Sequence, residues 1–307
     1  MGVKLEVNIA GLKLANPILS ASGCFGYGEE AAEFFQIDTL GGIVTKSITP
    51  LPRIGHPPPK VVETSYGMLN AIGLTNVGLD RFINEKLPYL KSNRNAIIAN
   101  IAGAKVSDYK LLAQKLSDQK DIDAIEINIS CPNVETGGME FGATPEGAAK
   151  VISEVKKVSS KPIIPKLSPN VTNIISIAKA VEDAGADAIS LINTLVGTAI
   201  DINTRQFKLS NKFGGLSGPA IKPVALGMVF KVASNVSIPV IGIGGISSGN
   251  DVIEFMLAGA SAVQIGTACF AEPGIFTRVI KEISDYLESN NIKDINQIIG
   301  TVERGLK

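Results

Sequence analysis

Short apolar runs recur along the chain, separated by longer stretches in which apolar residues return every three or four positions. The runs are Pro17–Ala21, Gly42–Lys46, Ala96–Ile101, Ala124–Ile129, Ile163–Leu167, Ala188–Ile192, Pro239–Gly242 and Ala262–Ile265. Most are continuously apolar rather than alternating, the pattern of parallel strands covered on both faces. The intervening stretches predict helices over Leu79–Leu90, Lys105–Ser117, Pro145–Val158, Ile174–Ala184, Lys222–Val236 and Asp251–Leu257. Glu29–Phe35 is a shorter candidate, and Pro273–Ser289 closes the series. Pro145 and Pro273 suit a first helical turn, where a missing N–H is harmless. Ala184-Gly185-Ala186-Asp187 and Ala258-Gly259-Ala260-Ser261 read as helix ends turning into the next strand.

A β-then-α unit repeated eight times closes most simply into a (β/α)8 TIM barrel, and the whole chain, 1–307, reads as one such domain. Two additions interrupt the repeat. Leu5–Ile9 and Leu12–Leu14 flank Ala10-Gly11 as a hairpin before the first strand, placed to plug the bottom of the barrel. The Pro-rich stretch Ser47–Gly78 follows the second strand, is too long for an ordinary connection, and predicts short strands folded over the barrel mouth.

Charge narrows the function. Lys plus Arg and Asp plus Glu are both 29, so the formal net charge is zero. No basic block is present, which argues against a nucleic-acid binder. The chain opens with no charged-then-apolar leader, and no run reaches about 18 apolar residues, so a cytoplasmic protein is expected. Three cysteines, Cys24, Cys131 and Cys269, lie far apart without a CxxC, so a metal, cluster or disulfide framework within this chain is not expected.

Barrel enzymes place their sites at the C-terminal strand ends. There the sequence sets Ala21-Ser22-Gly23, Lys46-Ser47, Asn100, Glu126 through Asn133, Lys166, Asn193-Thr194, Gly244-Gly245 and Gly266-Thr267. The last two pairs follow strands seven and eight, where barrels commonly bind phosphate through backbone N–H groups. Ser217-Gly218 offers a further donor. Tight turns alone would also use these glycines. Lys46 and Lys166 each end an apolar strand, and an unpaired buried ammonium is costly, so an anionic ligand is expected. Either lysine alone could instead snorkel to the surface. Free cysteine titrates near 8.5, close enough to neutrality for general-base work, and Cys131 sits among polar residues just past strand four. Cys24 and Cys269 read as small buried hydrophobes. His56, the single histidine, is a loop residue without evident partner. Asparagine offers both donors and acceptors, as a planar imide ring requires.

These residues resemble a known family. Lys46-Ser47-Ile48-Thr49, Arg53-Ile54-Gly55-His56-Pro57, Gly67 through Leu74, Ile129-Ser130-Cys131-Pro132-Asn133, Asn193 through Gly197, Gly214 through Pro219, and Gln264-Ile265-Gly266-Thr267 are similar to dihydroorotate dehydrogenase, in order along nearly the whole chain. Gly67–Leu74 and Cys131 most resemble class 1B, the NAD-linked type. Class 2 uses a serine base and an N-terminal membrane-binding extension, and this chain resembles it in neither respect. His56 and Lys60 stand where the family pattern has asparagine and arginine.

The resemblance implies oxidation of dihydroorotate to orotate in pyrimidine biosynthesis, with hydride passing from C6 to FMN while Cys131 takes the C5 proton. It places Ala21, Ser22, Gly23, Lys46, Ser47, Asn100, Asn128, Lys166, Ile192, Gly218, Gly244, Gly245, Gly266 and Thr267 around FMN. It places Lys46, Asn70, Leu74, Asn128, Asn193 and Thr194 near the substrate, with Lys46 and Lys166 assisting catalysis. It also implies a homodimer bound to an electron-transfer subunit carrying FAD and a [2Fe–2S] cluster. Alternatives are a fumarate-linked class 1A enzyme, a dihydropyrimidine dehydrogenase-like flavoenzyme and a non-redox phosphate-binding barrel.

Overall fold

The computed structural model describes residues 2–34, 36–93, 95–130, 132–133 and 139–302, with backbone alone at 132, 133, 139 and 140. Eight parallel strands close into a barrel. In chain order they are Ile18–Ser20, Gly42–Val44, Ala96–Ile101, Ala124–Asn128, Ile163–Leu167, Ile189–Leu191, Val240–Ile243 and Ala262–Ile265. Each bonds to the next, and the eighth returns to the first, with Val263 opposite Ile18. All eight apolar runs become barrel strands. Several ladders are shorter than their runs, because residues such as Thr45 and Lys46 stay sheltered after the ladder has ended.

Helices sheathe the barrel. Their buried stripes are those the periodicity predicts: Tyr109, Leu112, Ala113 and Leu116 on Val106–Ser117, and Ala148, Val151, Ile152 and Val155 on Pro145–Lys156. Thr144 caps the latter through Gly147 N–H, with Pro145 in the first turn. Gly185 and Gly259 end their helices with φ of 96° and 109°, a left-handed turn that glycine takes without strain.

Three expectations need correction. The segment predicted as a helix at Glu29–Phe35 is a series of turns over its described residues, following Gly26 and Gly28 at φ 60° and 88°. Pro273 precedes the N-cap Gly274 of helix Ile275–Ser289 and so stands outside its first turn. Leu79–Leu90 is interrupted by a π-helical turn at Phe82–Lys86.

The two additions are present. Val7–Ile9 pairs with Leu12–Leu14, and Val7, Ile9 and Leu14 are buried in the main core. From the Pro-rich stretch, Val61–Thr64 and Gly67–Asn70 form half of a four-stranded antiparallel sheet. The other half, Leu195–Thr198 and Phe213–Ser217, comes from the connection after the sixth barrel strand. Leu216 pairs with Leu69, and Leu69, Ala71 and Leu209 make a small apolar cluster apart from the barrel core. Gly67 and Gly218 pass so close that a Cβ on Gly67 would lie 2.1 Å from the Ser217 carbonyl oxygen. No helix among the described residues is long and apolar enough to cross a membrane.

Candidate functional site

A cavity of about 610 Å³ opens where the C-terminal strand ends meet the four-stranded sheet. Its wall gathers residues 170 and more positions apart, because every barrel strand ends at the same rim. Of the residues anticipated from the sequence, Ala21, Ser22, Gly23, Lys46, Ser47, Asn70, Leu74, Asn128, Lys166, Ile192, Asn193, Thr194, Gly218, Gly244, Gly245, Gly266 and Thr267 all line it. Asn100 does not. It is fully buried, level with Glu126 in the ladder and one pleat below Asn128. Cys131 lies outside the described residues. His56 faces the Ala71 carbonyl at 3.1 Å through Nδ1 and is not part of the wall.

The electrostatics of the wall are one-sided. Among the described residues it holds Lys46 and Lys166 and no aspartate or glutamate. Lys46 has no hydrogen-bond or ion-pair partner for its ammonium among the described residues. Lys166 is buried, donates to Ser22 Oγ at 3.2 Å, and lies 3.8 Å from a Glu126 carboxylate oxygen below the floor.

Amides frame the cavity between the lysines and the covering sheet. Asn193 donates to Asn128 Oδ1 at 3.4 Å and accepts from Thr194 N–H at 2.8 Å. Asn70 donates to the Gly215 carbonyl at 3.2 Å. Leu74 holds φ of 58°, a left-handed conformation costly for a leucine, on the loop that brings it to the wall. At the far end Thr267 donates to Ser217 Oγ at 2.7 Å, joining the eighth-strand loop to the covering sheet. Gly23, Gly218, Gly244 and Gly245 have φ of 84°, 100°, 130° and 72°, so the wall there is exposed backbone.

Sequence reasoning missed the support beneath this site. Tyr109, fully buried, donates to the Asn128 carbonyl at 2.8 Å. Asn170 bonds Ser168 Oγ, the Thr194 carbonyl and Val196 N–H, fixing the entry to the covering sheet. Glu126, Ser190 and Gln264 form a buried polar cluster inside otherwise apolar strands. Their signal was a polar residue in mid-run rather than at its end.

Of the two other cysteines, Cys269 is buried as expected, whereas Cys24 is only partly buried and lines the cavity. Burial pushes Cys24 up to about 11, against the pull of the Lys166 ammonium. Burial, then proximity to Cys24, pushes Cys269 up to about 12. At pH 8 roughly one Cys24 thiol in a thousand is then ionised, and the thiolate is the reactive form. Neither should alkylate in the native protein on a timescale that labels the denatured chain fully, as peptide mass mapping would show. Equal labelling of native and denatured Cys24 would contradict this.

Comparison with known proteins is consistent along the chain. The family model described as dihydroorotate dehydrogenase matches residues 4–287. A protein of Geotalea uraniireducens named dihydroorotate dehydrogenase B (NAD(+)), catalytic subunit, is 52% identical over 298 residues, covering 97% of this chain and 98% of that one. One of the same name from Thermoanaerobacter sp. strain X514 is 52% identical over 301 residues, covering 98% and 99%. Among solved structures, a dihydroorotate dehydrogenase of Eimeria tenella in complex with ferulenol superposes with a TM-score of 0.81. It covers 98% of this chain and 89% of that one at 22% identity, a likeness of fold.

Proposed function

Because the chain belongs to the dihydroorotate dehydrogenase family, we propose that it oxidises dihydroorotate to orotate in de novo pyrimidine synthesis, as the catalytic subunit of an NAD-linked enzyme. The observation that carries the reading is the wall of the cavity, with two lysines and no acidic residue among the described residues. That cavity suits a ligand bearing phosphate and a substrate bearing a carboxylate. Its volume lies in the ordinary range for small-molecule sites.

FMN fits the residues present. Its phosphate would lie against the bare backbone of Gly244, Gly245, Gly266 and Thr267, with Gly218 beside them, and its ring between Ala21, Ser22, Gly23, Ser47, Asn128 and Ile192. Lys46 and Lys166 would face its most electronegative edge. Asn100 would act from below, since it stands off the wall. When bound, FMN supplies the hydride acceptor. Cys131 takes the C5 proton of the substrate as general base. Asn70, Asn128, Asn193 and Thr194 orient the ring by two-sided hydrogen bonding, with Leu74 against its face, and Lys46 meets the carboxylate.

The relatives' name, a catalytic subunit, supports a separate electron-transfer subunit. In this reading that subunit carries FAD and a [2Fe–2S] cluster, since three scattered cysteines here cannot supply four cluster ligands. A homodimer of this chain forms the core, and residues 1–307 act as one barrel unit in the cytoplasm.

An anaerobic titration with dihydroorotate tests the proposal. The purified protein is expected to be yellow and to bleach stoichiometrically. A colourless protein that cannot be reconstituted with FMN overturns it. Efficient NAD+ reduction by the isolated chain would overturn the need for a partner.

A further inference from the structure

The buried carboxylate of Glu126 is unused by the mechanism above. It is 0% exposed, in the middle of the fourth barrel strand, directly under the cavity floor. Three neutral donors reach it: Asn100 Nδ2 at 2.7 Å on Oε1, and Ser190 Oγ at 2.8 Å and Gln264 Nε2 at 2.6 Å on Oε2. They come from the third, sixth and eighth barrel strands, so the carboxylate is fixed from three sides of the barrel. Lys166, from the fifth strand, is 5% exposed and stands 3.8 Å from Oε1.

Charge burial explains why such an arrangement needs a purpose. A buried carboxylate is expensive unless paired, and apolar packing would serve stability as well or better. Here both oxygens are engaged by neutral donors, so the ammonium is attracted at 3.8 Å without being captured in a short ion pair. An ammonium has three N–H donors. Lys166 gives one to Ser22 at 3.2 Å, and the others are left for whatever fills the cavity.

We propose that Glu126 is a positioning residue for Lys166. It fixes the ammonium at the cavity floor through the barrel's polar cluster, so that Lys166 stabilises the reduced, negatively charged flavin more than the oxidised form. The inference rests on the FMN reading above. Preorganised charge acts most strongly where it need not reorient. Glu126 itself is farther from the cavity than Lys166, which lines it.

The proposal fixes a sign. If Glu126 acted only through its own negative field, neutralising it would favour reduced flavin. If it acts by holding Lys166, neutralising it releases the ammonium and favours oxidised flavin. Glu126→Gln is well suited to the test. Asn100 Oδ1 and Gln264 Oε1 are buried acceptors without partners among the described residues, and they can receive the new amide's hydrogens after their own amides rotate.

The experiment is a redox titration of FMN-loaded protein against a dye of known potential, for wild type, E126Q, K166M and the double variant. E126Q is expected to shift the reduction equilibrium at least tenfold toward oxidised flavin, K166M by a similar factor, and the double variant no further than K166M. Glu126→Asp, which keeps the charge but withdraws it, should shift at least threefold in the same direction, and it carries the test should E126Q fail to fold. An E126Q equilibrium within twofold of wild type, or shifted toward reduced flavin, overturns the proposal. So does an undiminished E126Q effect in the K166M background. A wild-type protein that binds no FMN would instead overturn the functional reading, so the two failures are distinguishable.

Discussion

Replacing Cys131 with alanine is expected to slow reduction of bound FMN by dihydroorotate about 10²–10⁴-fold, the usual range for loss of a general base, while FMN stays bound. In the sequence Cys131 directly follows Ser130, and the residues up to Ser130 form the exit of the fourth barrel strand. That exit is tied down from several sides. Tyr109 holds the Asn128 carbonyl, Ser130 N–H donates to Asn128 Oδ1 at 3.1 Å, and Gly142 N–H donates to the Ile129 carbonyl at 2.8 Å. Loss of one sulfur atom should therefore leave the lysines and asparagines in place. The deficit would be chemical rather than structural. Stopped-flow reduction under anaerobic conditions isolates that step from reoxidation and product release. One signature should accompany it: an unchanged yellow spectrum at rest. Reduction of the alanine variant at the parental rate would remove Cys131 from the mechanism.

The barrel was legible because its strands are buried on both faces. Such strands read as unbroken apolar runs, and three of them, Ala96–Ile101, Ile163–Leu167 and Ala262–Ile265, have the bounds the runs indicate. The polar ends of those runs then pointed to the cavity, since a lysine or asparagine closing an apolar strand must meet something. The second half of the covering sheet was not legible. Phe213–Ser217 contains two adjacent glycines, and Leu195–Thr198 is half-exposed and four residues long. Phe213–Ser217 is held by pairing with Gly67–Asn70, with Leu216 opposite Leu69 far away in the sequence, and Leu195–Thr198 is held in turn by Phe213–Ser217, partnerships no local pattern reveals. Glu126 and Gln264 were passed over for a related reason. Their neighbours along the chain are apolar, and the groups that engage them come from other strands. Asn100 was assigned to the cavity because it lies near a strand end, but the ladder continues to Ile101 and leaves it one pleat below the wall.

The second large effect is expected at the opposite end of the cavity. Gly245→Ala should weaken FMN binding about thirty- to hundredfold, from roughly 2–3 kcal/mol of strain at about 1.4 kcal/mol per tenfold. Gly245 has φ of 72°, and a Cβ there would lie 2.7 Å from Lys222 Cβ and 2.8 Å from the Lys222 backbone nitrogen. Lys222 cannot yield easily. It opens helix Lys222–Ala233, and its ammonium is bound to Asp251 at 2.7 Å and to Glu254. Asp251 in turn accepts from Ser247 N–H at 2.8 Å, two residues after Gly245. Strain would therefore fall on the Gly244-Gly245 turn, whose other side is the cavity. Gly23→Ala is the matched comparison. Its φ of 84° is equally left-handed, but a Cβ there meets nothing within 4 Å. Only the conformational cost of about 1–2 kcal/mol remains, so its loss should stay near tenfold. Fluorescence titration of the two apoproteins with FMN, alongside their thermal midpoints, separates binding from folding. Equal losses in both variants would dismiss the clash with Lys222. Wild-type affinity in both would move the phosphate away from this end of the barrel.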